Sequence, residues 1–120
     1  MRTLLRTLAF VFALIVASAA AAHAFPDNSS PHVGATVTTA PTEVKVWFDG
    51  ELEPVFSTLV VKNAAGTQVS HGNGRVAPDD HKLLETALPA KLPPGTYSVY
   101  WSAAAHDGHR TAGHFVFTVK

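Results

Sequence analysis

Gly113-His114-Phe115-Val116-Phe117-Thr118-Val119 puts Phe115, Phe117 and Val119 on one side of an extended chain and His114, Val116 and Thr118 on the other. Such alternation marks a strand with one buried face, and it decides the fold class because other segments repeat it. In Thr96-Tyr97-Ser98-Val99-Tyr100-Trp101, the apolar face is Tyr97, Val99 and Trp101; in Glu43-Val44-Lys45-Val46-Trp47-Phe48, it is Val44, Val46 and Phe48. Weaker strands are expected near 35–38, 58–62, 67–70 and 82–86. Turns are expected at Asn63-Ala64-Ala65-Gly66, Pro78-Asp79-Asp80 and Pro93-Pro94-Gly95. No segment shows a long apolar repeat of 3.6 residues, so helix should be minor. The pattern predicts an all-β, immunoglobulin-like antiparallel β-sandwich with Greek-key connections and about seven to nine short strands. Trp47 alternates with the valines, which assigns it to the opposite face or an edge, with stacking on a ligand as the alternative.

The first 22 residues read as a secretory signal. Arg2 and Arg6 form a positive start, residues 8–16 an apolar run too short to cross a bilayer, and Ala20-Ala21-Ala22 a small-residue cleavage site. The expected organisation is therefore a signal peptide over 1–22 and a single β-sandwich domain over 23–120. A second cut, after Ala24, also fits the small-residue rule and would start the protein at Phe25.

Cleavage after Ala22 leaves 98 residues, enough for one small core. Losing Arg2 and Arg6 reduces nine basic residues to seven against nine acidic ones, a net charge near −2. There is no basic stripe, so nucleic acid is not an expected partner. No later apolar run is long enough to span a membrane. Cysteine is absent and the single methionine is Met1, which leaves with the signal. The processed chain thus carries no sulfur donor. Nitrogen and oxygen donors suit Cu(II), Zn(II) or Ni(II) and serve Cu(I) poorly.

All seven histidines survive processing: His23, His32, His71, His81, His106, His109 and His114. Cutting after Ala22 makes His23 the first residue, so a free α-amine sits beside its own imidazole and the two nitrogens can chelate one ion. Internally, the densest cluster is His106-Asp107-Gly108-His109. In an extended backbone Asp107 and His109 project to the same side and His106 to the other. The Asp-Gly pair reads equally well as a hairpin turn.

Adding His23 to Asp107 and His109 makes a set of three nitrogens and one carboxylate oxygen, which matches the tetragonal preference of Cu(II). Amine and imidazole ligation predicts affinity that falls with pH, markedly below roughly pH 6. His114 is expected to pack or support, and His106 to orient a ligand by hydrogen bonding. His32, His71 and His81 look like loop residues, with His71, His81 or His114 as candidates for a second, weaker site. Asp49, Glu51 and Glu53 either hydrogen-bond the terminal amine or are simply solvated.

Several segments in order resemble the CopC copper-resistance family. They are His23-Ala24, Ser29, Pro31 and Gly34-Ala35-Thr36-Val37; Glu43 to Phe48 with Glu53-Pro54; Leu92-Pro93-Pro94-Gly95-Thr96-Tyr97; Asp107-Gly108-His109; and Gly113 to Val119. The resemblance implies a periplasmic, non-enzymatic β-sandwich that binds one Cu(II) per chain through His23, Asp107 and His109. It also implies an inner-membrane, CopD-like copper transporter as partner, and a protein acting in resistance as carrier or buffer; a monomer is expected. Some members carry a methionine-rich stretch for Cu(I), which is missing here. The acidic residue that usually follows the phenylalanine is also displaced, at Asp49-Gly50-Glu51. Two other readings stand beside this one. A terminal histidine with a second histidine is the arrangement of histidine-brace copper oxidases, although Asp107 would occupy a position that oxygen needs. The other is a β-sandwich interaction module with incidental histidines.

Overall fold

The computed structural model describes residues 24–120; the expected 1–22 leader and His23 lie outside the described residues. Eight strands are formed: β1 (Pro26–Ser30), β2 (Thr36–Val37), β3 (Glu43–Phe48), β4 (Thr58–Lys62), β5 (Arg75–Ala77), β6 (Asp80–Ala87), β7 (Gly95–Ala104) and β8 (Arg110–Val119). The one helical turn among the described residues is a 3₁₀ turn at Pro54–Phe56. The strands make two four-stranded sheets, ordered β1-β3-β6-β5 and β2-β8-β7-β4.

The three strongly alternating segments form the heart of the sandwich. β7 and β8 are an antiparallel hairpin registered from Gly95 opposite Val119 to Ala104 opposite Arg110. Their inward residues Tyr97, Val99, Phe115, Phe117 and Val119 face Val44, Val46 and Phe48 of β3, and all are buried. Tyr97 stacks on Phe117 with ring centres 5.5 Å apart. Its hydroxyl donates to the Pro93 carbonyl, so the buried phenol keeps a partner for its polar end. Trp101 lies across Gly113, where a Cβ would come within 2.7 Å of the indole, and meets Phe48 edge-on at 5.6 Å. Trp47 points to the other face, as its alternation required, and lines a surface hollow with Asp27, Asp49, Asp80 and Lys82.

The sandwich departs from the sequence expectation in three places. β2 pairs with β8 in parallel, so the fold is antiparallel except at this edge. The chain crosses from one sheet to the other between β1 and β2 instead of turning back by a hairpin, and it reaches β8 running the same way. The segment 67–70 is no strand and keeps one bridge, Lys62 to Gln68. Its backbone still bonds to β4 at Val69–Val61 and just past it at Asn63–Thr67, and side chains supply further bonds: the Ser70 hydroxyl accepts from the Val61 N–H, and the Gln68 amide donates to the Ser70 and Gly72 carbonyls. Two strands were not expected. β1 begins with proline and has no apolar alternation, and β5 spans only three residues.

Candidate functional site

One end of the sandwich gathers three pieces of chain: residues 24–25, the β3–β4 connection and the β7–β8 turn. Backbone bonds hold the last two together. Leu52 bridges Ala105, and the Glu53 N–H donates to the Ala104 carbonyl at 2.8 Å. The Ser57 hydroxyl donates to the Glu53 carbonyl and accepts from the Ala104 N–H. The amino-terminal piece is tied in on both sides. Thr111 donates its hydroxyl to the Ala24 carbonyl at 2.7 Å, and the Phe25 N–H donates to the Asp49 carboxylate at 2.7 Å. Ala24 itself is only 2% exposed and belongs to the core.

The β7–β8 turn explains how the short cluster read from sequence is displayed. Gly108 has a positive φ of 88° and donates its N–H to the Ala105 carbonyl, and the Ala105 N–H donates to the His109 carbonyl. A tight turn followed by a left-handed residue is a common way to close a hairpin, and glycine adopts that backbone without steric cost. The turn, and not an extended strand, brings Asp107 and His109 together. One carboxylate oxygen of Asp107 accepts the His109 backbone N–H at 3.0 Å, and the other lies 2.6 Å from His109 Nδ1. Both side chains are at the surface.

His106 is held between two carboxylates. Its Nδ1 lies 2.6 Å from Glu53 and its Nε2 2.9 Å from Glu51. The acidic run after β3 is therefore not merely solvated: Asp49 holds the Phe25 amide, and Glu51 and Glu53 hold His106. Hydrogen bonding to Glu53 and then to Glu51 raises the His106 pKa above 6.5, outweighing the small desolvation that opposes it. A folded pKa above the unfolded one means the contribution to stability is complete below the unfolded value and fades as pH rises through the folded one. An NMR titration of the metal-free protein should place the His106 midpoint above 6.5; a midpoint at or below that value would show that the two carboxylates do not hold the ring in solution.

The other histidines go elsewhere. His114 stacks on Tyr100 on the outer face of the second sheet, with ring centres 5.5 Å apart. His71 lines a groove with Arg75 and Glu85, and His32 a different hollow beside β1. The His81 carbonyl accepts the Leu52 N–H, while its side chain is exposed. Among the described residues no group of three or more histidine, aspartate or glutamate side chains is arranged to hold a metal ion. Asp107 and His109 are thus the part of the expected donor set that the described residues bring together. His23, the remaining member, lies outside them. The Thr111–Ala24 bond was not legible in the sequence, since a threonine and an alanine 87 positions apart carry no shared pattern.

Comparison with known proteins places the chain in a family. A CopC domain model matches residues 27–120. The chain belongs to the CopC family. The CopC structure from Methylosinus trichosporium OB3b covers 82% of this chain and 94% of its own, with a TM-score of 0.71 and 30% identity. Protein YobA of Escherichia coli K12 is 32% identical over 119 residues, covering 99% of this chain and 96% of its own. Copper transport protein CutJ of Bacillus subtilis is 28% identical over 109 residues, which are 91% of this chain and 20% of CutJ. CopC membership makes this a copper-related β-sandwich; the family's members are copper-binding resistance proteins, not enzymes. Among the described residues no helix is long and apolar enough to cross a membrane.

Proposed function

We propose that the chain is exported, loses residues 1–22, and binds one Cu(II) in the periplasm through the amine and imidazole of His23, the Asp107 carboxylate and the His109 ring, as a carrier or buffer that passes copper to a membrane transporter. The observation that carries this reading is the 2.6 Å approach of Asp107 to His109 beside a tethered Ala24. Neighbouring ligands of one ion with bonds of about 2.0 Å lie roughly 2.8 Å apart when they meet at a right angle. The aspartate and histidine already stand at nearly that spacing, so a proton between them and a bound ion are alternatives.

The tether supports the rest of the donor set. Successive Cα atoms are about 3.8 Å apart, so a residue joined to Ala24 starts close to Thr111, two positions beyond His109. The burial of Ala24 also supports cleavage after Ala22, because a cut after Ala24 would strip a core residue and its bond to Thr111. The donors are three nitrogens and an oxygen, with no sulfur available, which favours Cu(II) over Cu(I). Asp107 supplies one negative charge and at the same time fixes the backbone of His109. Both ligands sit on an exposed turn, which suits exchange with a partner. The likeness to about a fifth of CutJ, named as a copper transport protein, supports transfer to a transporter.

The protein starting at His23, titrated with Cu(II) in excess glycine, should retain one equivalent. Surrender of all the copper to glycine would overturn the reading.

A further inference from the structure

We propose that His106, clasped between Glu51 and Glu53, is a positioning residue that presets the Asp107–His109 turn for copper; this rests on the copper reading above. The base of the clasp is rigid. Leu52 is fully buried and bridged to Ala105, and the backbone of Glu53 is bonded at both its N–H and its carbonyl. The two carboxylates leave this base from alternate positions and reach opposite edges of one ring, at 2.6 Å and 2.9 Å. A ring gripped at both nitrogens cannot rotate without breaking a bond to a charged group, and such bonds are stronger than neutral ones. His106 is the residue directly before Asp107, so fixing its side chain fixes the peptide plane from which the Asp107 carboxylate springs.

Residues 106–110 are all exposed, and an exposed hairpin tip has little packing to fix its conformation. The clasp ties the start of the turn to the β3–β4 connection with two charge-assisted bonds, and Arg110 ties its end there too, donating to the Phe56 carbonyl. It also settles which of the two nearby histidines meets the metal. With both nitrogens facing carboxylates, His106 offers no lone pair outward, so His109 is the turn's histidine that ligates.

Three variants of the protein starting at His23 test this: His106→Phe, which keeps a flat ring and removes both bonds, Glu53→Ala, and Glu53→Gln, which restores an acceptor. Thermal melting should change little, because all three substitutions leave the buried core intact. In metal-free protein, amide exchange at Gly108 and His109 should quicken in His106→Phe and Glu53→Ala. With Cu(II), competition against glycine should show affinity lowered about 10–100-fold in both, the usual effect of losing an outer partner of a ligand. Their Cu(II) electron paramagnetic resonance should split into more than one signal. Glu53→Gln should recover a single signal and an affinity within about threefold of the parent.

The proposal is overturned if the parent binds copper and His106→Phe and Glu53→Ala match it in affinity, spectrum and turn exchange. A parent that fails to hold copper against glycine refutes the copper reading instead. Unchanged turn exchange in the metal-free variants refutes the clasp independently of copper.

Discussion

Acetylating the amino terminus of the protein that starts at His23 should lower Cu(II) affinity by at least about a hundredfold, beyond what loss of an outer partner costs, while leaving the fold untouched. The cap keeps every side chain, the Thr111–Ala24 bond and the Phe25–Asp49 bond. It turns the primary amine into an amide, whose nitrogen lone pair is delocalised into the carbonyl and is a poor donor, and it supplies no new amine. The five-atom reach of the amine–imidazole chelate is lost with it, and the Asp107–His109 pair keeps at most the His23 ring beside it. Isothermal competition against glycine, run on capped and uncapped protein, reads the difference. Equal affinities would show that the amino terminus is not a ligand. Intact mass of the exported protein is the companion measurement, because a chain starting at Phe25 would lack the amine–imidazole pair and the buried Ala24 together.

Phe117→Ala should cost about 3–5 kcal/mol of unfolding free energy, a large part of what a domain this small possesses. Phe117 is fully buried, in the middle of the β7–β8 hairpin, with Tyr97 stacked on one side. Truncation removes the ring's transfer free energy and leaves a cavity that the flanking strands cannot close, since their register is locked by the hairpin. Without disulfides, no covalent link compensates. Chemical denaturation of metal-free protein gives the number. A loss below about 1 kcal/mol would mean the interior is not organised around this ring.

Core and site differed in how far they could be read from the chain alone. Phe115, Phe117 and Val119, with Tyr97 and Val99, and Val44, Val46 and Phe48, were legible as inward faces because a two-residue period has no other stable reading than a half-buried strand. The edges were not. β1, with its Pro-Asp-Asn-Ser-Ser sequence, is a strand because β3 offers it a ladder, whereas in 67–70 the Ser70 hydroxyl takes the Val61 N–H that a regular ladder would pair with backbone. Likewise the spacing of Asp107 and His109 suggested that they share a side, but through an extended chain; a glycine-closed turn is what achieves it.

The sequence by itself determined that this protein is a sulfur-poor β-sandwich, and it offered a cut after Ala22 that would expose a histidine amine, because periodicity, composition and cleavage signals are local properties. Only the tertiary structure decided that Ala24 is pinned at Thr111 beside the Asp107–His109 turn, and that Glu51 and Glu53 close on His106. Those contacts join residues 87, 55 and 53 positions apart. They exist because two sheets packing on one core bring chain ends and connections to a common rim, and no local pattern along the chain encodes that meeting.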